Sequence, residues 1–475
     1  MDDYQFFAAS RVCVLFAFFS TLMAQGQSRH IIVLDPGHSH AAAVFAQPIP
    51  GISDEVRVYA PPGPDVAAFL HSVSGFNHRP HNPTHWRLEP YVSADFLPHM
   101  LLEPPGNIVI ISGRNNGKIK RILWSVRAGQ NVLADKPWII DSEEFPVLET
   151  TLREAVQRHV AVYDGMTERF NAAYRIQREL MRDPAVFGHS LTGTRSAPAV
   201  QLDNLHSLVK FDKGKVNLRP AWFLDVRQQG EAIADVGTHL VDLELWTLFP
   251  DQPVDYRRDI RVLEATNSPV YLTRSQFERV TGEKAWPPFL LHAVRSDQLE
   301  YDCNNTALFT VRGTYTSIHD RWEYESPGAL NDSYLVLYRG SRSTIRVRQS
   351  KLENYLPEID VIPNASENSA ALTAALESRL KSIASSFPNL ALRNNAREIR
   401  VVIPREDRER GGSTFAQLVG RFLEYASDPQ TIPNWEAPNM LAKYYVTTQA
   451  VDLAHPTKLR LSTKIPPPTP AASPR

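Results

Sequence analysis

The chain has 475 residues, of which 43% are hydrophobic and 22% are charged, and its formal net charge is −1. This length allows two or more domains with sizeable cores, and the composition is that of a globular chain rather than a disordered one. A nearly neutral chain gives no electrostatic reason to bind nucleic acid or an anionic membrane. We therefore expect no nucleic-acid partner.

The first 26 residues have the pattern of a secretory leader. Residues 12–23, VCVLFAFFSTLM, form an apolar run after Arg11, and the run ends in AQGQS, which contains a small-x-small cleavage pattern. The run is shorter than the roughly 20 apolar residues that span a bilayer. We predict a cleavable signal peptide at residues 1–26, export to the periplasm or the extracellular space, and no stable membrane anchor after cleavage. Cleavage would leave Cys303 without a partner for an internal disulfide.

Strand-like and helix-like segments alternate between residues 29 and 168. The buried strand patterns are RHIIVL, EVRVYA, NIVII, NVLA and AVYD, and an amphipathic helix pattern such as GKIKRILWSVR lies between two of them. Strands that alternate with helices form parallel sheets through right-handed crossovers. The sequence therefore predicts an α/β domain at residues 29–168 with a doubly wound parallel sheet, the architecture to which dinucleotide-binding Rossmann domains also belong.

The pattern changes after residue 168. Strand patterns follow one another without intervening helices in ALFTVRGTYTSIHDRWEYES and in DSYLVLYRGSRSTIRVRQ, and the second segment alternates with period two. Such alternation indicates an antiparallel sheet with one face in solvent. We predict an α+β domain at residues 169–456 with a mainly antiparallel open sheet, followed by a disordered Pro-rich tail at residues 457–475.

The segment DPGHSHA follows the first strand, where a glycine-rich dinucleotide motif lies in many parallel sheets. At G-x-G-x-x-G spacing, Asp35, Gly37 and His40 occupy the three glycine positions, so one of the three is glycine. Gly37 would still allow a pyrophosphate to approach the backbone, next to the start of the following helix. A plain strand–turn–helix connection is the alternative interpretation of this segment.

Two further segments carry polar groups in positions suited to chemistry. LADKPW places Lys136 at the C-terminal end of a parallel strand, where open α/β sheets bind ligands and where an ammonium group can stabilise a developing alkoxide. In GEAIADVGTHLVDLELW, helical spacing puts Asp235, His239 and Asp242 on one face, flanked by apolar residues. A buried acid and imidazole must be paired or serve chemistry. A surface lysine and a water-facing polar row are the alternatives.

Three histidines lie close together in a proline-rich segment, where metal ligands are one possible interpretation. His78, His81 and His85 are spaced by three and four residues, as ligands on one helix face would be. Pro80 and Pro83 exclude a helix there. We therefore predict no metal site from the sequence.

Taken together, these segments resemble the glucose–fructose oxidoreductase / inositol dehydrogenase / MocA family from residue 30 to residue 456. NIVIISGRNNGKIKRILWSVRAGQNVLADKP is similar to the family's strand–turn–helix–strand that ends in Glu-Lys-Pro, with Asp135 in place of the glutamate and Asn115 on the turn asparagine. GEAIADVGTHLVDLELW is similar to the family's Asp-x-Gly-x-His-x-x-Asp helix. After residue 256 the chain resembles the family variant with a "putative oxidoreductase C-terminal" part.

The resemblance implies NAD or NADP as the cofactor and implies roles for three catalytic residues. His239 would take the proton of a substrate hydroxyl, Asp235 would orient the imidazole and favour its charged form, and Lys136 would hold the substrate oxygen. The implied cofactor-binding residues are Asp35, Gly37, His38, His40, Asn115, Asp135 and Lys136. The implied substrate-binding residues are Thr167, His206, Lys210, Arg219, Trp222 and Asp242.

The sequence departs from the family pattern at the end of the second strand. The acid that should hold the adenosine ribose is missing there, and Asp65 is the nearest carboxylate. The leading hypothesis is an NAD(P)-dependent oxidoreductase that acts on a CH–OH group of a sugar, polyol or glycoside. The alternatives are an NAD-dependent glycosidase or lyase that oxidises C3 transiently, and a non-catalytic binding protein that kept the fold. We expect a small-molecule carbohydrate ligand and a homo-oligomer formed through the C-terminal sheet.

Overall fold

A computed structural model of the chain describes residues 29–456 apart from residues 213, 326–331 and 396. The predicted signal peptide and the predicted Pro-rich tail lie outside the described residues. Within the described part of the chain, no helix combines the length and the apolar character needed to cross a bilayer.

The first sheet confirms the predicted doubly wound architecture, because its six strands are all parallel and have the spatial order β3-β2-β1-β4-β5-β6. The strands are β1 Arg29–Leu34, β2 Ile52–Ala60, β3 Arg87–Val92, β4 Ile108–Ile111, β5 Asn131–Ala134 and β6 Val162–Asp164. The helices around them are α1 Ser39–Ala43, α2 Pro64–His78, α3 Phe96–Met100, α4 Lys118–Arg127 and α5 Phe145–Arg158.

The strands of this sheet are buried on both faces. Ile32 and Leu34 of β1 belong to one apolar cluster with α4 and α5, whereas Ile31 and Val33 belong to a second cluster with α1 and α2. Successive side chains of a strand point to opposite faces, so a continuous apolar run is what a two-sided parallel sheet requires. The second cluster also contains Phe422, which comes from a helix near the C-terminus of the chain.

The second sheet confirms the predicted mixed domain. Among the described residues it contains ten strands in the order β10-β12-β13-β7-β14-β15-β16-β18-β17, with β11 beside β12. All neighbouring strands are antiparallel except β13 and β7. The strands after β6 are β7 Val200–Ser207, β8 Phe211–Asp212, β9 Lys215–Val216, β10 Ile260–Thr273, β11 Val294–Arg295, β12 Gln298–Val311, β13 Thr314–Glu323, β14 Ser333–Arg339, β15 Ser343–Gln349, β16 Glu358–Pro363, β17 Ala391–Asn394 and β18 Ile399–Val402, where β8 and β9 form a separate pair.

The helices of the second half pack on both sheets. They are α6 Ala172–Met181, α7 Val226–Gln229, α8 Ala232–Asp235, α9 Gly237–Leu248, α10 Tyr256–Asp259, α11 Arg274–Thr281, α12 Ser369–Ser382, α13 Arg405–Arg408, α14 Thr414–Ser427 and α15 Glu436–Ala454. Helix α14 covers one face of the first sheet, and α15 packs against α5, α9 and β10. The sequence predicted one helix at residues 230–246, but the structure has two, α8 and α9, which are separated at Val236.

Candidate active site

The turn after β1 is tight although two of its three motif glycines are replaced. Asp35 has φ +50°, which is the left-handed region that an aspartate tolerates better than most residues. A Cβ on Gly113, after β4, would lie 2.2 Å from the backbone oxygen of Asp35, so the two strand ends touch through a glycine. The N–H groups of Gly37 and His38 both donate to the backbone oxygen of Ser112, at 2.9 Å each. These two amides are therefore already used within the protein.

Lys136 emerges from the end of β5 and forms an ion pair with the second half of the chain. Its Nζ donates to Asp235 Oδ1 at 2.6 Å, and Gln229 Nε2 donates to Asp235 Oδ2 at 2.7 Å. Burial disfavours the charge of Lys136, but the carboxylates of Asp235 and Asp135 outweigh burial and raise its pKa. Burial likewise acts to raise the pKa of Asp235, but the ammonium of Lys136 keeps that pKa below its ordinary value. Both partners therefore carry their charges.

His239 lies beside this ion pair in a different state from the one the sequence suggested. Its Nδ1 is buried and has no hydrogen-bond partner among the described residues. Burial, and then the nearby charge of Lys136, lower the pKa of His239 to about 3. Both oxygens of Asp235 accept bonds from Lys136 and Gln229, so Asp235 is not placed to orient His239 or to favour its charged form. The expected acid–imidazole pair is thus replaced by an acid–lysine pair next to a neutral imidazole.

Asn115 and Lys118 form a second buried polar set that the sequence assigned only in part. Asn115 Nδ2 donates to the backbone oxygen of Gln229 at 2.7 Å, and its Oδ1 accepts from Lys118 Nζ at 2.6 Å. Lys118 Nζ also donates to the backbone oxygen of Asp135 at 2.9 Å. Burial lowers the pKa of Lys118 to about 8. Asn115 therefore links the turn after β4 to the end of α7 and to Lys118, and the cofactor role that the family resemblance implies for it stays a prediction.

Asp135, which follows β5, contacts three polar side chains. Its Oδ2 lies 3.0 Å from His40 Nδ1, 3.3 Å from His38 Nδ1 and 3.1 Å from Ser112 Oγ. Burial opposes the charge of Asp135, but the two imidazoles hold its pKa well below the ordinary value. Burial lowers the pKa of His38 to about 4. His239 interacts electrostatically with both Asp135 and His40, so the turn after β1, the end of β5 and helix α9 meet in one place.

The second domain contributes the charged cluster that the sequence proposed for substrate. His206 Nδ1 and Lys210 Nζ both contact Asp332 Oδ2, at 3.0 and 2.5 Å. Lys136 interacts electrostatically with His206 and Lys210, and Asp235 does so with Arg219. His206, Lys210 and Arg219 therefore lie within electrostatic range of the Lys136–Asp235 pair. The sequence analysis did not predict Asp332, because a single acidic residue after a segment with proline and glycine has no pattern that links it to His206 and Lys210.

The aromatic faces in this cluster are oriented by cation–π contacts and stacking. The rings of His206 and Trp322 are stacked with centroids 4.8 Å apart, and the guanidinium of Arg219 lies 4.9 Å from the Trp322 ring. Arg219 donates to the backbone oxygens of Ser207 and Leu208. These backbone contacts therefore hold Arg219 in place beside the Trp322 ring.

Trp222 packs against the turn after β1. Its Nε1 donates to Asp65 Oδ2 at 3.0 Å, and its Cζ2 would lie 3.3 Å from a Cβ on Gly37. Asp65 Oδ2 would lie 3.4 Å from the same Cβ and also contacts Arg114 at 3.2 Å. Asp65 thus supplies a carboxylate near the end of β2, where the sequence lacked one, and a cavity of about 60 Å³ opens beside it.

Two predicted substrate residues have other surroundings. Asp242 Oδ1 and Oδ2 each accept from Arg169 at 2.6 Å, and Lys443 Nζ lies 3.3 Å from Oδ1. Both carboxylate oxygens are thus engaged in buried ion pairs, an arrangement that does not support the substrate role of Asp242. Thr167 is buried at the start of the 3₁₀ turn Thr167–Phe170, two residues before Arg169.

Comparisons with known proteins agree with this architecture. The family model described as "Putative oxidoreductase C terminal domain" matches residues 176–455. A solved structure described as a "putative oxidoreductase" from Parabacteroides merdae ATCC 43184 is 39% identical, with a TM-score of 0.87, and the match covers 90% of this chain and 98% of that one. No curated protein sequence matched the chain.

More distant structures share the fold. A levoglucosan dehydrogenase in its apo form is 12% identical with a TM-score of 0.58, and the match covers 90% of this chain and 97% of that one. GenD2 from gentamicin A biosynthesis, solved in complex with NAD, is 13% identical with a TM-score of 0.54, and the match covers 90% and 94%. With the parallel sheet, the mixed sheet and the matched C-terminal domain, these findings show that the chain belongs to the glucose–fructose oxidoreductase / inositol dehydrogenase / MocA family of oxidoreductases.

Proposed function

We propose that this protein is an NAD(P)-dependent oxidoreductase that transfers a hydride to or from a CH–OH group of a sugar, polyol or glycoside. The observation that carries the proposal is the meeting of Lys136, from the parallel sheet, with Asp235 and His239 from the second half of the chain. When a CH–OH group is oxidised, the oxygen loses a proton and the carbon loses a hydride, and an ammonium and a neutral imidazole are groups that can stabilise the oxygen and take the proton. GenD2 was solved with NAD, which supports the same cofactor class here.

The residues of the site fit a dinucleotide in two places and depart from the usual pattern in a third. The buried, unpartnered Nδ1 of His239 and the charge of Lys136 suit the nicotinamide end. The carboxylate of Asp65 lies near the end of β2 and beside Gly37, where it can accept from ribose hydroxyls. The N–H groups of Gly37 and His38 donate to Ser112, so side chains rather than these amides would hold the pyrophosphate.

The protein's own groups divide the work at the substrate hydroxyl. The bound cofactor supplies the hydride acceptor or donor. Lys136 places a positive charge where negative charge builds on the oxygen, which lowers the proton affinity of that oxygen. Burial lowers the pKa of His239 to about 3, so its imidazole is neutral, and we assign it the hydroxyl proton. So low a pKa makes the imidazole a weak base in the free protein, and the transfer requires the negative charge that develops on the substrate oxygen to stabilise the imidazolium. Asp235 holds Lys136 in place and keeps it charged, so we assign Asp235 a positioning role.

The carbohydrate class is proposed from the second domain. Lys210 and Asp332 are partly exposed and His206 lies beside them, so this cluster offers hydrogen-bond donors and acceptors of the kind that a ligand with several hydroxyl groups needs. We also propose export through the predicted leader and oligomerisation through the second sheet. Mass spectrometry of the secreted chain and light scattering of the purified protein would test these two points.

The test begins with the purified protein, from which any co-purifying nucleotide is identified by mass spectrometry. Carbohydrates are then added while the absorbance of reduced nicotinamide is followed. Because Lys136 is buried, we would remove its charge together with that of its partner, in Lys136→Met/Asp235→Asn, so that no unpaired charge remains. We expect this variant to lose about 10²–10³-fold or more in rate, and the exposed Lys120→Ala to keep its rate.

The same assay separates the alternatives. If the assay shows products of glycosidic bond cleavage and no net change in reduced nicotinamide, the protein is a glycosidase or lyase that oxidises its substrate only transiently. A folded Lys136→Met/Asp235→Asn variant with undiminished turnover, or a protein that binds neither NAD nor NADP, would refute the proposed function.

A further inference from the structure

His38, His40 and Asp135 bring three metal-ligand atoms together from two separate strand ends. The two histidines follow β1, and Asp135 follows β5. One ligand atom from each of the three side chains lies within 4.8 Å of the other two, and the described ranges hold no other such group of three. Both imidazoles converge on the same oxygen, Asp135 Oδ2, at 3.3 Å from His38 and 3.0 Å from His40.

These separations match the spacing of ligands around a small divalent ion. Zinc binds imidazole nitrogen and carboxylate oxygen at about 2.0–2.2 Å, so two ligands of a tetrahedral site lie about 3.3 Å apart. The distances from His38 Nδ1 and His40 Nδ1 to Asp135 Oδ2 are 3.3 and 3.0 Å, so both nitrogen–oxygen separations already have this spacing. His38 Nδ1 accepts a long hydrogen bond of 3.4 Å from the backbone N–H of His40, which an ion would replace. Two imidazoles and one carboxylate are also a donor set that transition metals use when they keep an open coordination position.

The surroundings leave the site accessible and balanced in charge. The side chains of His38 and His40 are 28% and 32% exposed, whereas Asp135 is 9% exposed, so an ion would enter from the imidazole side. Ser112 Oγ donates to Asp135 Oδ2 and fixes the carboxylate from outside the triad. The neighbouring cation Lys136 is neutralised by Asp235 at 2.6 Å.

We propose that His38, His40 and Asp135 form a binding site for one divalent transition-metal ion of the zinc class, with an open coordination position beside Lys136. This goes beyond the proposed redox function, because the family resemblance assigned the three residues to the cofactor and the sequence predicted no metal. An ion there would offer a Lewis-acidic contact to an oxygen of a ligand in the cleft. The sequence did not indicate the site, because Asp135 is 95 residues from His40 and meets it only in the fold.

The experiment measures metal binding without any activity assay. The full-length protein is stripped with a chelator and dialysed against Zn²⁺, and Co²⁺ is used as a spectroscopic probe of the coordination. We expect one Zn²⁺ per chain and visible Co²⁺ bands of a low-coordinate N/O site. Since loss of an outer-shell partner alone costs about 10–100-fold in metal affinity, His40→Ala should weaken Zn²⁺ binding by at least about 100-fold.

A matched control and a second readout keep the test independent of folding. His81 and His85 are exposed histidines, so His81→Ala/His85→Ala should bind Zn²⁺ as the unaltered protein does. Zn²⁺ should raise the Tm of the unaltered protein and of this control, but not that of His40→Ala or of the nearly isosteric Asp135→Asn. Absence of stoichiometric Zn²⁺ binding, or loss of binding in the His81/His85 control with retention in His40→Ala, would overturn the metal site. Nucleotide binding is measured separately, so either proposal can fail without the other.

Discussion

At the scale of single residues, helix α9 carries a buried carboxyl group that no cation of the described residues neutralises. Glu244 is fully buried, its Oε1 accepts from Thr316 Oγ1 at 2.5 Å, and its Oε2 has no partner among the described residues. Burial raises the pKa of Glu244 to about 8. The group is therefore protonated in the folded protein at pH values where the same glutamate in the unfolded chain has lost its proton.

Glu244 makes stability fall as pH rises. Between the ordinary glutamate pKa of 4.5 and the folded value of about 8, the folded state binds more protons than the unfolded state. The free energy of unfolding therefore falls over this window by up to about 1.4 kcal/mol per pH unit from this group. Glu244→Gln should flatten the pH dependence of the free energy of unfolding, measured in urea from pH 5 to pH 9. The exposed Glu278→Gln should leave it unchanged, and an unaltered slope in Glu244→Gln would contradict the assignment.

At the scale of elements, a buried ion network ties three segments together. Arg169, from the turn after β6, pairs with Asp242 of α9 and with Glu436 of α15. Lys443 of α15 contacts both Asp164 at the end of β6 and Asp242. Each charge is compensated by at least one partner, which is the condition for burying charges of both signs. Asp242 lies at the centre of this network, so its contribution is expected to be structural.

Removal of one charge from the network should be costly. Asp242→Asn leaves Arg169 and Lys443 short of a buried anion, and we expect the free energy of unfolding to fall by about 3–5 kcal/mol. Asp251→Asn is the matched control, because Asp251 pairs with Arg178 and Arg182 at the surface and its loss should cost less than about 1 kcal/mol. Urea unfolding of both variants measures the difference. Unchanged stability of Asp242→Asn with weakened carbohydrate binding would instead restore the substrate role predicted from the sequence.

The sequence predicted elements well where their own residues determine them. The apolar runs of β1, β4 and β5 and the periodic helix α4 are local patterns, and all were predicted. Strand β3 was missed, because it lies at the edge of the sheet, is mostly exposed and contains Pro90. The sequence predicted a single helix at residues 230–246, but the structure has two, α8 and α9. The break was not predictable, because the pattern of apolar positions does not reveal where a helix ends.

In the candidate site, too, the sequence predicted which residues take part but not how they pair. The family resemblance assigned one catalytic site to Lys136, Asp235 and His239, and the structure places them in one region. Their pairing was not predictable, because which neighbour a buried carboxylate binds depends on distances between elements far apart in the sequence. For the same reason Asp332 could not be assigned from its local sequence.

At the scale of the whole molecule, the two sheets share one apolar core. A single cluster of buried residues runs from Ile32 and Val109 in the first sheet to Val336 and Val361 in the second. Helix α14 adds a second connection, because the chain returns from the second sheet to cover the first. The ring of Tyr425 on α14 lies edge-on to Tyr163 of β6, with centroids 5.2 Å apart. Neither half of the chain therefore buries its apolar surface without the other.

This shared core predicts one cooperative unfolding transition that is sensitive to α14. Phe422 is fully buried against the first sheet, so Phe422→Ala should lower the free energy of unfolding by about 3–5 kcal/mol. Calorimetry should show a single transition at a lower Tm, and hydrogen exchange should accelerate in both sheets. The exposed Arg421→Ala on the same helix should change stability by no more than about 0.5 kcal/mol. Two separated transitions, or faster exchange confined to the first sheet, would show instead that the halves fold independently, because a core that spans both sheets cannot lose one side alone.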